Sequence, residues 1–302
     1  MKKRIWKDLR KNWLLWVMFL PVFLYYIIFS YTPMYGILLA FKDYKTKKGI
    51  WGSGWVGLKH FERLFSAYNF ELILGNTIGI SLYSLCVSFP LAILFALMLN
   101  YLRLSKLKKT VQMVSYAPHF ISNVVVCGML SIFLDPNNGI VNGFLNSMGI
   151  ASVAFLSQPG MFKTIYVLSG VWQGLGWSAI IYISALAGVD YQLHEAAIID
   201  GATKLQRIQH VDIPAISPTI TMLLILNLGS LMGVGFEKVY LLQNDLNFNA
   251  SDIIATYTYR VGMVNQDYGY STAVGLFNTV INLVLLITAN TTARKVNGEG
   301  LW

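Results

Sequence analysis

The stretch HEAAIIDGATKLQRIQHVDIPAI, residues 194–216, lies between two long apolar runs. It carries charges, one glycine and two short amphipathic patterns, whereas most of the chain consists of apolar runs. Upstream of Gly201 the residues are good helix formers. Downstream, Leu205, Ile208 and Val211 recur three apart, as one face of an amphipathic helix requires. Because glycine adopts a positive φ readily, the pattern predicts two short helices that reverse direction at Gly201.

The rest of the chain has the composition of a polytopic membrane protein. Of its 302 residues, 55% are hydrophobic and only 12% are charged. About 20 apolar residues cross a hydrocarbon core as a helix, and these runs do not alternate as barrel strands would. We therefore predict an all-α integral membrane protein with six transmembrane helices, at about 13–41, 72–100, 111–134, 162–187, 216–236 and 271–293.

The distribution of Lys and Arg predicts the orientation. With residues 1–12 as a cytoplasmic segment and 13–302 as one transmembrane domain, the inner segments carry fourteen of the 23 basic residues. The outer loop 42–71 opposes this trend with six basic residues. Both termini and the loop 190–214, between spans 4 and 5, are thus expected in the cytoplasm. The net charge of +9 indicates this topology and contact with membrane lipid rather than nucleic-acid binding.

The sequence lacks the motifs of several kinds of catalytic and metal chemistry. There is no GxxxxGK phosphate loop, no HExxH or GxSxG and no metal-ligand spacing, so we predict no catalytic residue and no metal site. Asp135, Glu237, Lys238 and Asp267 fall at or beyond the outer ends of spans, which leaves an ion-coupled carrier without obvious coupling residues. Without a P-loop of its own, the chain must draw the energy from another subunit if it moves a solute uphill.

A carbohydrate pathway would require aromatic and neutral polar side chains in the spans. Aromatic rings stack on sugar faces, and amides bond to hydroxyl groups. The candidate pathway residues are Tyr116, His119, Trp172, Gln173, Trp177, Asn227 and Asn278. The alternative for each of them is packing, or a place in the interfacial aromatic belt.

The pattern E-A-A-x3-G-x9-V-x-I-P, from Glu195 to Pro214, closely resembles the EAA loop of binding-protein-dependent ABC importer permeases. That family's pattern is E-A-A-x3-G-x9-I-x-L-P, so Val211 and Ile213 depart from it while staying apolar. The segments PMYGILLAFKDYK, YAPHFISNVVVCGMLSIF and GVWQGLGWSAIIYISALAGVD and the ending NGEGLW resemble the carbohydrate branch. The resemblance is strongest to permeases for complex oligosaccharides and polysaccharides related to the alginate importer, and more distant to the maltose importer permeases.

The resemblance implies the type I importer permease fold and a helix in the loop 190–214 that docks on an ATPase subunit. The implied ATPase-coupling residues are Glu195, Ala196, Ala197, Ile198, Ile199, Asp200, Gly201, Leu205 and Pro214. It also implies a bacterial cell membrane location, a second homologous permease subunit that completes a heterodimer, and two ATP-binding subunits. Those subunits use ATP and Mg²⁺, so no cofactor is expected on this chain. An extracellular solute-binding protein is expected to meet the outer loops 135–161 and 243–270.

Two other functions remain open at this point. One is a permease of the same importer class for a non-sugar solute such as a peptide or glycerol phosphate. The other is an ion-coupled secondary transporter, which substrate accumulation without ATP would reveal. A membrane enzyme would need clustered acids or a metal set at one membrane face, and the sequence has neither.

Overall fold

The computed structural model describes residues 11–298 and 300–302. The predicted helical fold is confirmed over these residues, which also include one small antiparallel ladder, β1 (Lys42–Asp43) with β2 (Gly54–Trp55). Of the predicted cytoplasmic segment 1–12, residues 1–10 lie outside the described part of the chain.

The helices follow one another through mostly short connections. Those of the first half are α1 (Trp13–Tyr26), α2 (Thr32–Met34), α3 (Gly49–Gly52), α4 (Lys59–Phe65), α5 (Phe70–Asn100), α6 (Ser105–Tyr116), α7 (Asn123–Phe133) and α8 (Ile140–Ser147). Those of the second half are α9 (Pro159–Ala187), α10 (Tyr191–Ile199), α11 (Lys204–Arg207), α12 (Ile213–Gly229), α13 (Phe236–Leu242), α14 (Phe248–Ser251), α15 (Ile254–Tyr259) and α16 (Tyr268–Asn297). Turns of π-helix occupy Ile27–Tyr31, Ile208–Asp212 and Arg260–Val264, and 3₁₀ turns occupy Tyr35–Phe41, Ala117–Phe120 and Phe155–Ser157.

Four helical stretches are long and apolar enough to cross a membrane, namely Trp13–Phe41, Phe70–Asn100, Lys204–Gly229 and Tyr268–Val296. A fifth candidate is the bent pair formed by α6 and α7. Helix α9 has 29 residues, which is long enough for a span, but it is not among the four that are also apolar enough. The described part of the chain therefore holds four or five candidate spans by length and composition, where the sequence predicts six.

The bounds of two predicted spans need correction. The third, 111–134, is not continuous, because the chain bends by 99° between Phe120 and Asn123. Pro118 lies in a 3₁₀ turn that follows α6, and the backbone becomes extended at Ile121 and Ser122. Ser122 then begins a new helix by accepting a bond from the Val125 N–H. The fifth, predicted over 216–236, runs over Lys204–Gly229 instead, since the glycine-rich segment after residue 229 leaves the helix.

The described part of the chain divides into two compact units, and the first comprises residues 11–67 and 260–276. Within it, the Arg63 guanidinium lies 2.6 Å from an Asp267 carboxylate oxygen and 4.1 Å from the centre of the Tyr270 ring. The Lys42 ammonium donates to the Ile50 carbonyl at 2.8 Å. Lys42 and Arg63, two of the basic residues that oppose the positive-inside trend, therefore make stabilising contacts within their own unit.

The second unit comprises residues 68–259 and 277–302. Its helices α5, α9 and α12 meet in a core cluster built largely of small and aliphatic residues, Ala92, Ala96, Leu97, Ala179, Tyr182, Leu186 and Ile216. Helices α6 and α9 also approach closely at Gly176, where an added Cβ atom would overlap the Ser115 backbone. This core fixes the start of α12, where the 194–216 stretch enters the membrane domain.

Candidate functional site

We call residues 190–214 the elbow, and its first half is a capped helix. The Asp190 side chain accepts a bond from the Gln192 N–H and caps the start of α10. Gly201 has a φ of +79°. The Gly201 N–H bonds to the Ile198 carbonyl and the Ala202 N–H to the Ala197 carbonyl, which is a Schellman cap. The reversal predicted at Gly201 is therefore present.

The second half of the elbow differs from the prediction of a separate short helix. Thr203 and Gln206 form a capping box that begins α11. From there the helix continues without a break through a π-helical turn into α12, so Pro214 and Pro218 do not interrupt it. Pro214, which has no backbone N–H to donate, lies in the first turn of α12, directly after the π-helical turn. The elbow is thus one short helix joined to an extension of α12.

The predicted coupling residues lie mostly at the surface of the elbow. Ala197 is half-buried, and the others are exposed: Glu195, Ala196, Ile198, Ile199, Asp200, Gly201, Leu205 and Pro214. The exposed fraction is 51% for Ile198, 85% for Ile199 and 63% for Leu205. Large apolar side chains exposed together on a short helix and its flank mark a surface that another protein can cover.

A buried carboxylate, which the sequence analysis missed, connects the elbow to the membrane helices. Asp212 is fully buried, and its Oδ2 accepts a 2.7 Å hydrogen bond from the Tyr101 hydroxyl at the end of α5. Its Oδ1 lies 3.3 Å from Nε2 of His194 on α10. Burial raises the pKa of Tyr101 to about 12, with help from this hydrogen bond, so the tyrosine remains a donor at neutral pH. The only sequence signal was an acid inside the apolar pattern VDIP.

The break between α6 and α7 is stabilised from α9. The Gln173 amide donates a 2.8 Å hydrogen bond to the Ile121 carbonyl, which lies in the non-helical segment. Next to it, the His119 ring stacks on the Trp177 ring with centres 4.3 Å apart and planes 4° apart. The structure thus brings together three of the predicted pathway residues, His119, Gln173 and Trp177. The Gln173 amide, however, is bonded to the backbone at the break.

Trp177 and Asn227 line the same cavity. This cavity has a volume of about 600 Å³, lies among α5, α9 and the end of α12, and is also lined by Ser81, Ser84, Ser88, Ser178 and Ser230. The Asn227 amide donates to the Leu223 carbonyl of its own helix. An indole with several hydroxyl groups in one cavity offers both a stacking surface and hydrogen-bonding groups.

The other predicted pathway residues lie apart from this cavity. Tyr116 lines a different cavity of about 520 Å³ beside Lys109 and Gln112. Trp172 is half exposed and lines neither of the cavities described here. The Asn278 Oδ1 is buried and has no hydrogen-bond partner among the described residues. Only some of the seven candidates therefore share a location.

A second recess adjoins the main cavity and contains a lysine. The recess has a volume of about 230 Å³ and shares Ser84, Ser88, Tyr166 and Ser178 with the main cavity. Lys238 of α13 lines it and is only 6% exposed. Burial lowers the pKa of its ammonium group to about 8, so the group stays largely charged at neutral pH. The sequence analysis placed Lys238 at the outer end of a span and did not predict this burial.

Two loops of the second unit are held by buried asparagines. The Asn142 side chain bonds to the Asp135 and Val153 carbonyls and accepts from the Val153 N–H. The Asn247 amide donates to the Leu156 and Leu242 carbonyls at 2.9 Å. Around these anchors, large apolar side chains are exposed: Ile140, Phe144, Met148 and Leu246. Within the described residues no group of three or more His, Cys, Asp or Glu is placed to hold a metal ion.

Several candidate spans, an exposed elbow and a cavity that carries serine and asparagine side chains among helices are typical of a helical membrane transport protein. Residues 64–298 match the family described as binding-protein-dependent transport system inner membrane component. The match covers well over half of the chain, and the chain belongs to this family. The membership confirms the permease predicted from the EAA pattern, which is a transport subunit and not an enzyme.

Two curated relatives come from Bacillus subtilis (strain 168). The polygalacturonan/rhamnogalacturonan transport system permease protein YteP is 42% identical over 301 residues, covering 100% of this chain and 94% of the relative. The protein LplB is 40% identical and covers 97% of this chain and 92% of its own length.

Two solved structures share the fold. One is the bacterial alginate ABC transporter in complex with an alginate pentasaccharide-bound periplasmic protein, with a TM-score of 0.91, 39% identity and coverage of 99% of this chain and 100% of the matching chain. The other is a bacterial ABC transporter involved in import of the acidic polysaccharide alginate, also with a TM-score of 0.91 and 39% identity, covering 97% and 99%. The relation to the alginate importer that the sequence suggested is confirmed.

Proposed function

We propose that the chain is one of two permease subunits in an ATP-driven importer for a complex oligosaccharide, in a bacterial cell membrane with both termini in the cytoplasm. The observation that carries this proposal is the exposed elbow at the EAA position of a chain in the binding-protein-dependent family. The carbohydrate substrate is supported by the relatives YteP and the alginate transporter. The partners are a second permease, two ATP-binding subunits and an extracellular binding protein.

In this proposal the elbow transmits force from an ATPase subunit. Ile198, Ile199 and Leu205 supply apolar surface that a cleft can cover, and Glu195 is placed for a charged contact. Closure of the ATP-bound subunits displaces α10. Because α10 is joined to α12 through a capped turn and a continuous helix, the displacement reaches the membrane core. ATP and Mg²⁺ act on the partner subunits.

Six spans follow if the bent pair α6–α7 and helix α9 both cross the membrane. Helix α9 has the required length, and it packs with α5 and α12 in the core cluster. With six spans, the elbow and both termini lie on the cytoplasmic side. The loops anchored by Asn142 and Asn247 then lie outside, where their exposed apolar residues meet the binding protein.

The substrate pathway runs past the main cavity. Trp177 offers a stacking surface supported by His119, and the surrounding serines and Asn227 bond to sugar hydroxyls. A volume of about 600 Å³ falls within the usual range of small-molecule sites, so one or a few sugar units fit at a time. Tyr116, Trp172 and Asn278 stay as pathway candidates elsewhere along the route.

The test uses the complete complex in proteoliposomes, with ATP on the cytoplasmic side and the binding protein outside. We expect oligosaccharide accumulation that requires ATP. Glu195→Lys should abolish accumulation without changing the affinity of the binding protein for sugar. Accumulation that persists without ATP and collapses with an uncoupler would indicate an ion-coupled carrier instead. Stimulation of ATP hydrolysis by a peptide or glycerol phosphate, and by no glycan, would indicate a non-sugar importer.

A further inference from the structure

Lys238 is a buried cation without an anionic partner in the described part of the chain. No carboxylate oxygen of these residues lies within 4.0 Å of its ammonium nitrogen. Its Nζ donates to the Tyr166 carbonyl at 3.1 Å and lies 5.0 Å from the centre of the Tyr166 ring. Buried charges in proteins are normally paired, because removal from water costs several kcal/mol per ion.

The adjacent acid on α13 does not neutralise this lysine. Glu237 accepts a 2.7 Å hydrogen bond from the Asn123 amide and belongs to an exposed contact. The lysine instead faces a recess lined by neutral hydrogen-bonding groups, which include the hydroxyls of Ser84, Ser88 and Ser178. The site therefore combines one positive charge with several hydroxyl groups and carries no negative charge of its own among the described lining residues.

The recess is continuous in its lining with the main cavity. Ser84, Ser88, Tyr166 and Ser178 line both spaces. A sugar unit held against Trp177 in the main cavity is thus close to the lysine recess. A uronate unit carries a carboxylate and hydroxyl groups on one ring, and these match an ammonium group surrounded by serine hydroxyls.

We propose that Lys238 is a specificity residue of the pathway, which favours glycans bearing carboxylate groups over neutral ones. This inference rests on the proposed carbohydrate permease. Among the described residues the ammonium group contacts the Tyr166 carbonyl and ring and no carboxylate, and a passing uronate supplies the missing counter-charge. The relative described as an importer of the acidic polysaccharide alginate agrees with this charge preference.

The experiment compares one oligosaccharide in two forms, an oligogalacturonate and its fully methyl-esterified derivative. Esterification removes the charge and keeps the sugar rings. Uptake is measured in proteoliposomes with the complete complex and saturating binding protein, whose affinity for each form is determined separately. The wild type should take up the free acid. Lys238→Met should lower that uptake roughly 10- to 100-fold, the range expected for a lost charged hydrogen bond, and leave uptake of the ester within about twofold.

Two further variants separate recognition from folding. Lys238→Arg keeps the positive charge and should retain a large part of the uptake of the free acid. Lys163→Met removes a lysine from the same helical bundle outside the recess and should behave as wild type. Thermal unfolding of Lys238→Met should occur at the wild-type temperature or above it, because an unpaired buried charge is removed.

Each contrary result has a defined meaning. Equal loss of both substrate forms in Lys238→Met, or a lower unfolding temperature, identifies Lys238 as a structural tether to Tyr166 and overturns the specificity assignment alone. Preferential uptake of the ester by the wild type overturns it as well. A wild-type complex that takes up no glycan in either form overturns the proposed function together with this inference.

Discussion

A fully buried carboxylate is the residue on which the junction of elbow and membrane helices depends. Asp212 contacts Tyr101 of α5 and His194 of α10, so three separate parts of the chain meet at one side chain. The Arg207 guanidinium lies 5.7 Å from the centre of the Tyr101 ring and adds positive charge to the same junction. The junction thereby links α10 to the helices that line the cavity.

Replacing Asp212 should weaken the fold. Asp212→Ala removes the fully buried acceptor of the Tyr101 hydroxyl, and we expect a decrease in the free energy of unfolding of about 1–3 kcal/mol. Thermal unfolding of the purified chain in detergent measures this. Asp200→Ala alters an exposed acid of the same elbow and should change stability by less than about 0.5 kcal/mol. Equal stability of the two variants would show that the junction carries no net stabilisation.

Gly201 is the residue whose backbone conformation reverses the elbow. Its φ of +79° is unfavourable for any other residue, although a Cβ atom there would meet nothing within 4 Å. Gly201→Ala should therefore act through strain alone, at about 1–2 kcal/mol, and should lower substrate-stimulated ATP hydrolysis in the complex. Gly188→Ala, at a negative φ, is the matched control and should keep wild-type coupling. Equal activity of the two variants would contradict this role of Gly201.

At the scale of the elements, the broken helix α6–α7 shows how a sequence pattern and a structure diverge. A continuous apolar run over 111–134 predicts one straight span, and only Pro118 and Ser122 signal the break. The bond that supports the break comes from Gln173, more than fifty residues away, and local patterns do not report such partners. The same limit explains why Lys238, placed at a span end, was not predicted to be buried in a recess.

The hydrogen bond from Gln173 to the Ile121 carbonyl gives a prediction about α9. Gln173→Met keeps the length of the side chain and removes the amide that donates to the Ile121 carbonyl. We expect a loss of about 1–3 kcal/mol in the free energy of unfolding, because a backbone acceptor at the break loses its donor. Asn227→Leu is the control, since the Asn227 amide donates only to its own helix at Leu223, and its stability should stay near wild type.

The Gln173→Met variant also separates a structural role of Gln173 from a role in transport. If Gln173 served chiefly as a sugar contact, Gln173→Met would unfold at the wild-type temperature and lose oligosaccharide uptake. The opposite result, reduced stability with uptake per folded complex retained, is the one expected from the contact to α7. Unfolding temperature and uptake measured on the same preparation decide between them.

At the scale of the whole molecule, the sequence predicted the features that depend on residues close together in the chain. Composition and run length predicted helices able to span a membrane, of which the described residues hold four or five candidates rather than six. A pattern of twenty residues predicted the elbow with its reversal at Gly201, where φ is +79°. Contacts between distant segments were not predictable, and these include the Asp212 junction, the Lys238 recess and the stack of His119 on Trp177. Helix α9 has the length of a span but not the apolar character of the four candidates, because its glycines and Gln173 lower its hydropathy.

The orientation of the whole chain can be tested by labelling a single cysteine on the elbow. Cys86 and Cys127 are first replaced by serine or alanine, and Ile199→Cys then places a thiol at an 85% exposed position of α10. In intact cells a membrane-impermeant maleimide should leave this thiol unlabelled, because the topology proposed from the positive-inside rule puts the elbow in the cytoplasm. In inside-out vesicles it should be labelled, and labelling should decrease when the ATPase subunits are bound, since the docking proposed above would cover the apolar face of α10.

The control for this experiment is Met148→Cys, which lies beyond the end of α8 and is 62% exposed. It should be labelled in intact cells and protected in sealed inside-out vesicles, so the two positions report opposite faces of one chain. Labelling of both positions from the outside would place the elbow beyond the membrane, where no ATPase subunit can reach it. Labelling of Ile199→Cys from the inside without protection by the ATPase would preserve the topology and remove α10 from the docking surface.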